Sequence, residues 1–163
     1  QNTYLYPVVV LAISTGMRLG EIMKLCWRDI DLATGRIILH ETKNDERRSV
    51  PLTGHALQVV RDHGKVRVIN SDYLFPGKNN KKPIDLRAPW NKAVKQAKLD
   101  DFKFHDLRHT AASYLAMNGA TLAEIAEILG HKTLQMVKRY SHLSESHTSK
   151  VVASMNAKMF GDT

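Results

Sequence analysis

The chain has 163 residues, 43% hydrophobic and 25% charged, and its 24 basic side chains against 16 acidic ones leave a net charge of +8 and a pI near 9.7. These values fit one folded domain with a sizeable core and point to a polyanionic partner rather than a neutral one. No run of about 18 apolar residues and no signal peptide occurs, which argues against a membrane span or secretion, and lone Cys26 cannot form an internal disulfide, in keeping with a reducing, cytoplasmic setting.

Gln1 stands first without an initiator Met, which predicts a fragment or a processed product. Tyr4 to Ser14 is an apolar run with Val8, Val9, Val10, Leu11 and Ile13. Periodicity alone leaves helix and strand open, and Pro7 near the start with Gly16 as the stop favours a helix. After this break Leu19, Ile22, Met23 and Cys26 or Trp27 recur at core spacing, predicting a second helix. Arg18 and Glu21, three apart, share a face at its entrance, where backbone N–H groups favour an anion. Asp31 to Gly35 reads as a turn, Arg36 to Thr42 as a strand, Lys43 to Arg47 as a polar hairpin tip, and Arg48 to Leu52 as the returning strand. Lys43 thus stands at the start of a turn between two strands, where a lysine also serves to discourage edge pairing.

Thr53 is the expected N-cap of a helix over about 54–62, with Ala56, Leu57, Val59 and Val60 facing inward. Gly64, Pro76, Gly77 and the basic Asn79 to Lys82 mark loop, and a helix over about 86–98 carries Trp90, Ala93, Val94 and Ala97 on one side and Lys92, Lys95 and Lys98 on the other. A helix over 105–118 follows, since Leu107, Ala111, Tyr114 and Leu115 recur at core spacing and Gly119 supplies the C-cap. His105 and Arg108 lie about 60° apart around its axis. Thr121 to Glu124 is a capping box for the next helix, which ends at Gly130. His131 falls in a tight turn, and Thr133 is expected to cap a third helix carrying Tyr140. Beyond it, Val151, Val152, Met155 and Met159 fall on one side of a helix from about Ser146.

Several readings of these side chains compete. His105 and His109 have metal-ligand spacing, but no Glu follows His105 as a metalloprotease helix requires, and there is no Cys cluster for zinc. Thr121 to Tyr140 could form a DNA-reading helix-turn-helix, with Lys132 and Gln135 at the start of the reading helix. That leaves His105, Arg108 and Arg18 unexplained. Taken singly, each histidine is as well read as a satisfied structural residue.

Their order in the chain matches a family pattern. Thr15-Gly16-Met17-Arg18 with Glu21, Thr42-Lys43, His105-Asp106-Leu107-Arg108-His109-Thr110, Leu129-Gly130-His131 and Tyr140 fill in sequence every box of the tyrosine recombinases, the phage-integrase family, whose catalytic domain this chain resembles over nearly its whole length. The resemblance implies an α+β, mainly helical fold, a single domain of packed helices with a small antiparallel sheet whose hairpin carries a catalytic Lys43. It implies a site-specific recombinase that cuts and rejoins double-stranded DNA through a 3′-phosphotyrosine, with no metal, ATP or other cofactor. Arg18 and Arg108 would grip the scissile phosphate, Tyr140 would attack, His105 would take its proton, Lys43 would protonate the leaving oxygen, His131 would hydrogen-bond the phosphate, and Glu21 would orient Arg18 or a neighbouring histidine. The family also implies that the tail over 144–163 docks on a neighbouring protomer in a tetramer on DNA, in a bacterial or phage-infected cell. No core-binding domain precedes Gln1, which predicts weak, salt-sensitive DNA binding. Tyr140, late in the chain, is the group expected to move most. Relaxation of supercoils by a type IB topoisomerase and DNA binding by a non-catalytic helix-turn-helix regulator stand as alternatives.

Overall fold

The computed structural model describes residues 4–40 and 47–161, side chains at 144–147 excepted. The chain divides into two compact units, Gln1–His109 and Thr110–Thr163.

In the first unit the opening apolar run is a helix, α1 (Leu5–Thr15), with Pro7 in its first turn and Val8, Val10, Leu11 and Ala12 buried. It ends because Gly16 adopts φ 64°, a left-handed conformation open to glycine at little cost, and returns its N–H to the Ala12 carbonyl. The second helix, α2 (Leu19–Lys24), is shorter than the core spacing suggests. Asp29 accounts for this: its carboxylate accepts the Cys26 N–H at 2.8 Å, and Trp27–Asp29 winds into a 3₁₀ turn instead. Trp27 then stacks on His63, ring centroids 5.7 Å apart, and the His63 ring nitrogen meets the Leu74 carbonyl at 2.8 Å.

Three short strands, β1 (Ile30–Asp31), β2 (Arg36–Leu39) and β3 (Arg48–Pro51), form an antiparallel sheet in the order β1-β2-β3. Ile37 opposite Val50 and Leu39 opposite Arg48 line the inner face, while Arg36, Ser49 and Pro51 stay outside. In the β1–β2 turn Gly35 has φ 64°, and a Cβ there would lie 2.7 Å from the Leu52 carbonyl oxygen, so any larger residue strains the turn. The expected strand over 36–42 is described only to Leu39; Lys43 and most of the hairpin tip lie outside the described residues.

Helix α3 (Gly54–Lys65) packs on α1, and Thr53 holds the cap position without a side-chain cap bond. Helix α4 (Arg87–Gln96) contributes Trp90, which packs against Phe102 and Phe104. Leu107, in the first turn of α5 (Asp106–Met117), joins the core built around Leu11, Ile22, Leu25, Ile37, Val50 and Phe75.

The second unit has its own core of Ala112, Ala116, Ile125, Ala126, Leu129, Val137 and Tyr140. Small residues of α5 face it, whereas Tyr114, expected inside, is exposed. Helix α6 (Leu122–Leu129) opens on the anticipated capping box: the Glu124 carboxylate accepts the Thr121 N–H at 2.7 Å, and Thr121 Oγ1 accepts the Glu124 N–H at 3.2 Å. Such a cap contributes about 1 kcal/mol.

The third helix expected after Thr133 does not form as an α-helix. The segment makes two 3₁₀ turns, Leu134–Met136 and Lys138–Ser144. Val137, Tyr140 and Leu143 supply the reason. They repeat every third residue and pack on the same core, and side chains three apart eclipse in a 3₁₀ helix. No recognition helix of a helix-turn-helix stands here. Helix α7 (Glu145–Phe160) follows, with Val151, Val152, Met155, Met159 and Phe160 between 49% and 77% exposed. Among the described residues no helix is long and apolar enough to cross a membrane.

Candidate active site

The break between α1 and α2 organises the candidate residues of the first unit. Thr15 donates its hydroxyl to the Leu11 carbonyl at 2.5 Å and accepts the Met17 N–H at 3.3 Å, fixing the chain on either side of Gly16. Buried Met17 anchors the next residue. Arg18 then sits at the N-cap position of α2 in extended conformation, its side chain about 30% exposed and so reachable by a ligand. Helix α2 has only six residues, and its dipole adds little to that arginine's charge.

Glu21 is the hub beside it. One carboxylate oxygen accepts the Arg18 backbone N–H at 2.9 Å, the other accepts Arg18 Nη1 at 2.9 Å, and the carboxylate is 9% exposed. Of the two partners expected for Glu21, the contact is with Arg18. A third donor is Arg48 Nη2 on β3, 3.1 Å from Oε2, and that guanidinium side chain is 11% exposed. By residue order alone Arg48 is only part of the returning strand. Alternation could have found it, because Arg48 and buried Val50 are two apart and so face the same side of β3.

Arg108, 3% exposed, comes from α5 and donates Nη1 to the Gly16 carbonyl at 2.6 Å. The glycine break therefore anchors one arginine by its carbonyl and presents the other two residues later. His105, just before α5, packs its ring edge-on against His109 at 4.9 Å. Partial desolvation first, then the nearby His109 and Arg108, hold the His105 imidazole below its ordinary pKa, with Arg18 adding a smaller push in the same direction. Among the described residues no group of three or more His, Cys, Asp or Glu side chains could hold a metal ion.

In the second unit Gly130 takes the left-handed cap conformation of α6, and the half-buried His131 returns its N–H to the Ala126 carbonyl at 2.8 Å. Tyr140 is 6% exposed in that unit's core. Tyr140, the group expected to move most, packs on that core at a position of the period-three apolar repeat. Lys43 lies outside the described residues.

These arrangements suit recognition of a phosphodiester. Guanidiniums can hold planar pairs of anionic oxygens, and an imidazole kept neutral near pH 7 can accept a proton. The model of the phage integrase family matches residues 1–147. The shufflon-specific DNA recombinase of Escherichia coli is 39% identical over 149 residues, covering 88% of this chain and 36% of that protein. The catalytic domain of bacteriophage HP1 integrase superposes with a TM-score of 0.73 at 27% identity, covering all of this chain and 88% of that one. The XerH site-specific recombinase bound to its difH substrate in a pre-cleavage complex gives a TM-score of 0.70 at 25% identity, over 88% of this chain and 44% of that one. The chain thus spans well under half the length of that shufflon recombinase. With a family model covering nine-tenths of its residues and the ordered boxes held on a mainly helical fold with one small antiparallel sheet, the chain belongs to the phage integrase family.

Proposed function

We propose that this chain is the catalytic portion of a site-specific DNA recombinase that cuts and rejoins double-stranded DNA without ATP or metal. The observation that carries the reading is the Gly16 break, which holds the Arg108 guanidinium by its carbonyl and projects Arg18 beside Glu21. Arg18 and Arg108 grip the non-bridging oxygens of the scissile phosphate and stabilise the charge added in the pentacovalent transition state. The Tyr140 phenol loses its proton to His105, its oxygen bonds to phosphorus, and the bond from phosphorus to the 5′-oxygen breaks. Lys43 supplies the proton to that leaving oxygen, and His131 hydrogen-bonds the phosphate. A 5′-hydroxyl from another strand reverses the sequence, and the phosphotyrosine conserves the energy of the broken bond. Burial of Tyr140 adds a step: the phenol leaves its core before it attacks.

Incubation with a nicked duplex, in which the cleaved end diffuses away, tests the reading through a protein–DNA adduct on a denaturing gel. Absence of any adduct refutes it. Strand exchange between two duplexes then separates a recombinase from an enzyme that only relaxes supercoils.

His105 as the base makes a pH prediction. A lowered pKa means that the imidazole sheds its proton at a more acidic pH than usual, so activity persists further into acid. Single-turnover cleavage at subsaturating DNA, which reports the free enzyme, is expected to fall along an acid limb with its midpoint below 6.5, the ordinary histidine value. His105→Gln should abolish that limb; an unchanged limb in the variant removes His105 from the role.

The apolar stripe of α7 supports assembly. Five large apolar side chains at roughly half exposure or more suit docking on a second copy of the chain, as in a tetramer on DNA. Val152→Glu with Met155→Lys is expected to lower the apparent mass of the DNA-bound species in sedimentation, and an unchanged mass counts against docking through this face.

A further inference from the structure

The Arg48 side chain has no part in the scheme above, yet it is placed where a role is needed. It lies at the first position of β3, on the far side of the hairpin from β2, and crosses to α2 to meet Glu21. The Glu21 carboxylate is shared by two guanidiniums, so the three groups carry a net charge of +1 in a nearly closed site. Two Arg48 nitrogens, Nε and Nη1, are buried and find no acceptor among the described residues. A buried guanidinium with two donors unmatched among the described residues is an expensive way to fill a core position that an apolar side chain could occupy. Its neighbours on the same face, Val50 and Leu39, are apolar. The geometry points to function in place of stability.

We propose that Arg48 is a positioning residue for strand cleavage. It fixes the Glu21 carboxylate, and through it the direction of the Arg18 guanidinium, and it ties the start of β3 to α2. The Arg18 backbone N–H already holds Glu21 Oε2 at 2.9 Å, and Arg48 Nη2 adds a charged donor to that same oxygen at 3.1 Å. With Oε2 held by both donors, Oε1 is kept on Arg18 Nη1 at 2.9 Å. This inference rests on the recombinase reading for its chemistry, and on the contacts alone for its geometry.

The test is a cycle of Arg48→Met, Glu21→Gln and the double variant, read in single-turnover cleavage of a nicked duplex at saturating DNA. Arg48→Met is expected to slow cleavage about 10- to 100-fold, the scale of a roughly 1 Å misplacement of a reacting group, while the melting temperature falls by no more than about 3 °C, or rises. Arg48→Lys, which keeps one donor to Glu21, is expected to recover most of that loss. If Arg48 acts through Glu21, the double variant is no slower than the slower single one. Multiplying losses, or a melting temperature that drops in proportion to activity, overturns the proposal in favour of a merely structural salt bridge. The same cycle, run in Tyr140→Phe protein as affinity for an intact duplex, needs no chemistry. A wild type that forms no adduct therefore strikes the recombinase reading, while coupling or additivity in that affinity still decides on Arg48.

Discussion

Tyr140→Phe is expected to leave a nicked duplex free of covalently attached protein, with cleavage reduced by at least about 10⁴-fold, the scale of losing a nucleophile that no neighbour can replace. The change removes one oxygen and keeps the ring, so the core formed with Ala112, Ala116, Ile125, Leu129 and Val137 remains filled. Stability should therefore change by only about 1 kcal/mol, the net value of one hydroxyl's hydrogen bonding. DNA affinity should hold within a few-fold, since the arginines are untouched. An adduct that persists in this variant would assign the nucleophile to another residue.

Arg108→Ala is expected to reduce cleavage about 10³-fold or more, as removal of a guanidinium from a transferring phosphoryl group does. Arg108 is buried and hydrogen-bonded to the Gly16 carbonyl, so the variant also loses roughly 1–3 kcal/mol of stability. The two effects separate in Arg108→Lys. Lysine keeps the charge but cannot use one nitrogen for the carbonyl and a fork for the phosphate at once, so stability should recover more than cleavage. Chemical-denaturation curves measured beside single-turnover rates make the comparison, and cleavage within tenfold of wild type in Arg108→Ala would exclude it from the site.

Much of this molecule is legible in its sequence where the signal is local. Gly16 and Gly130 stop helices because each can take the left-handed conformation, and Thr121 with Glu124 starts one because their side chains and backbones bond reciprocally. The ordered boxes from Thr15 through Tyr140 identify the family without coordinates, since their residue types and order are themselves the pattern. The misreadings come from competition that spacing does not register. The core spacing from Leu19 toward Trp27 suggests one helix, but the Asp29 carboxylate bonds the Cys26 N–H and ends it early. Val137, Tyr140 and Leu143 are compatible with an α-helix, but packing all three on one core favours 3₁₀ turns.

Fold class, helix stops, family and the roster of candidate groups are legible from the chain alone, because these depend on residue type, order and short-range backbone preference. How Arg18 is held, the sharing of its carboxylate with Arg48, the tie from Arg108 to Gly16 and the packing of Tyr140 in a core emerge from the folded contacts. Arg48 lies 27 residues from Glu21 and Arg108 lies 92 from Gly16. Contacts across such separations depend on where strands and helices come to rest when apolar faces are buried together, and no local preference encodes that.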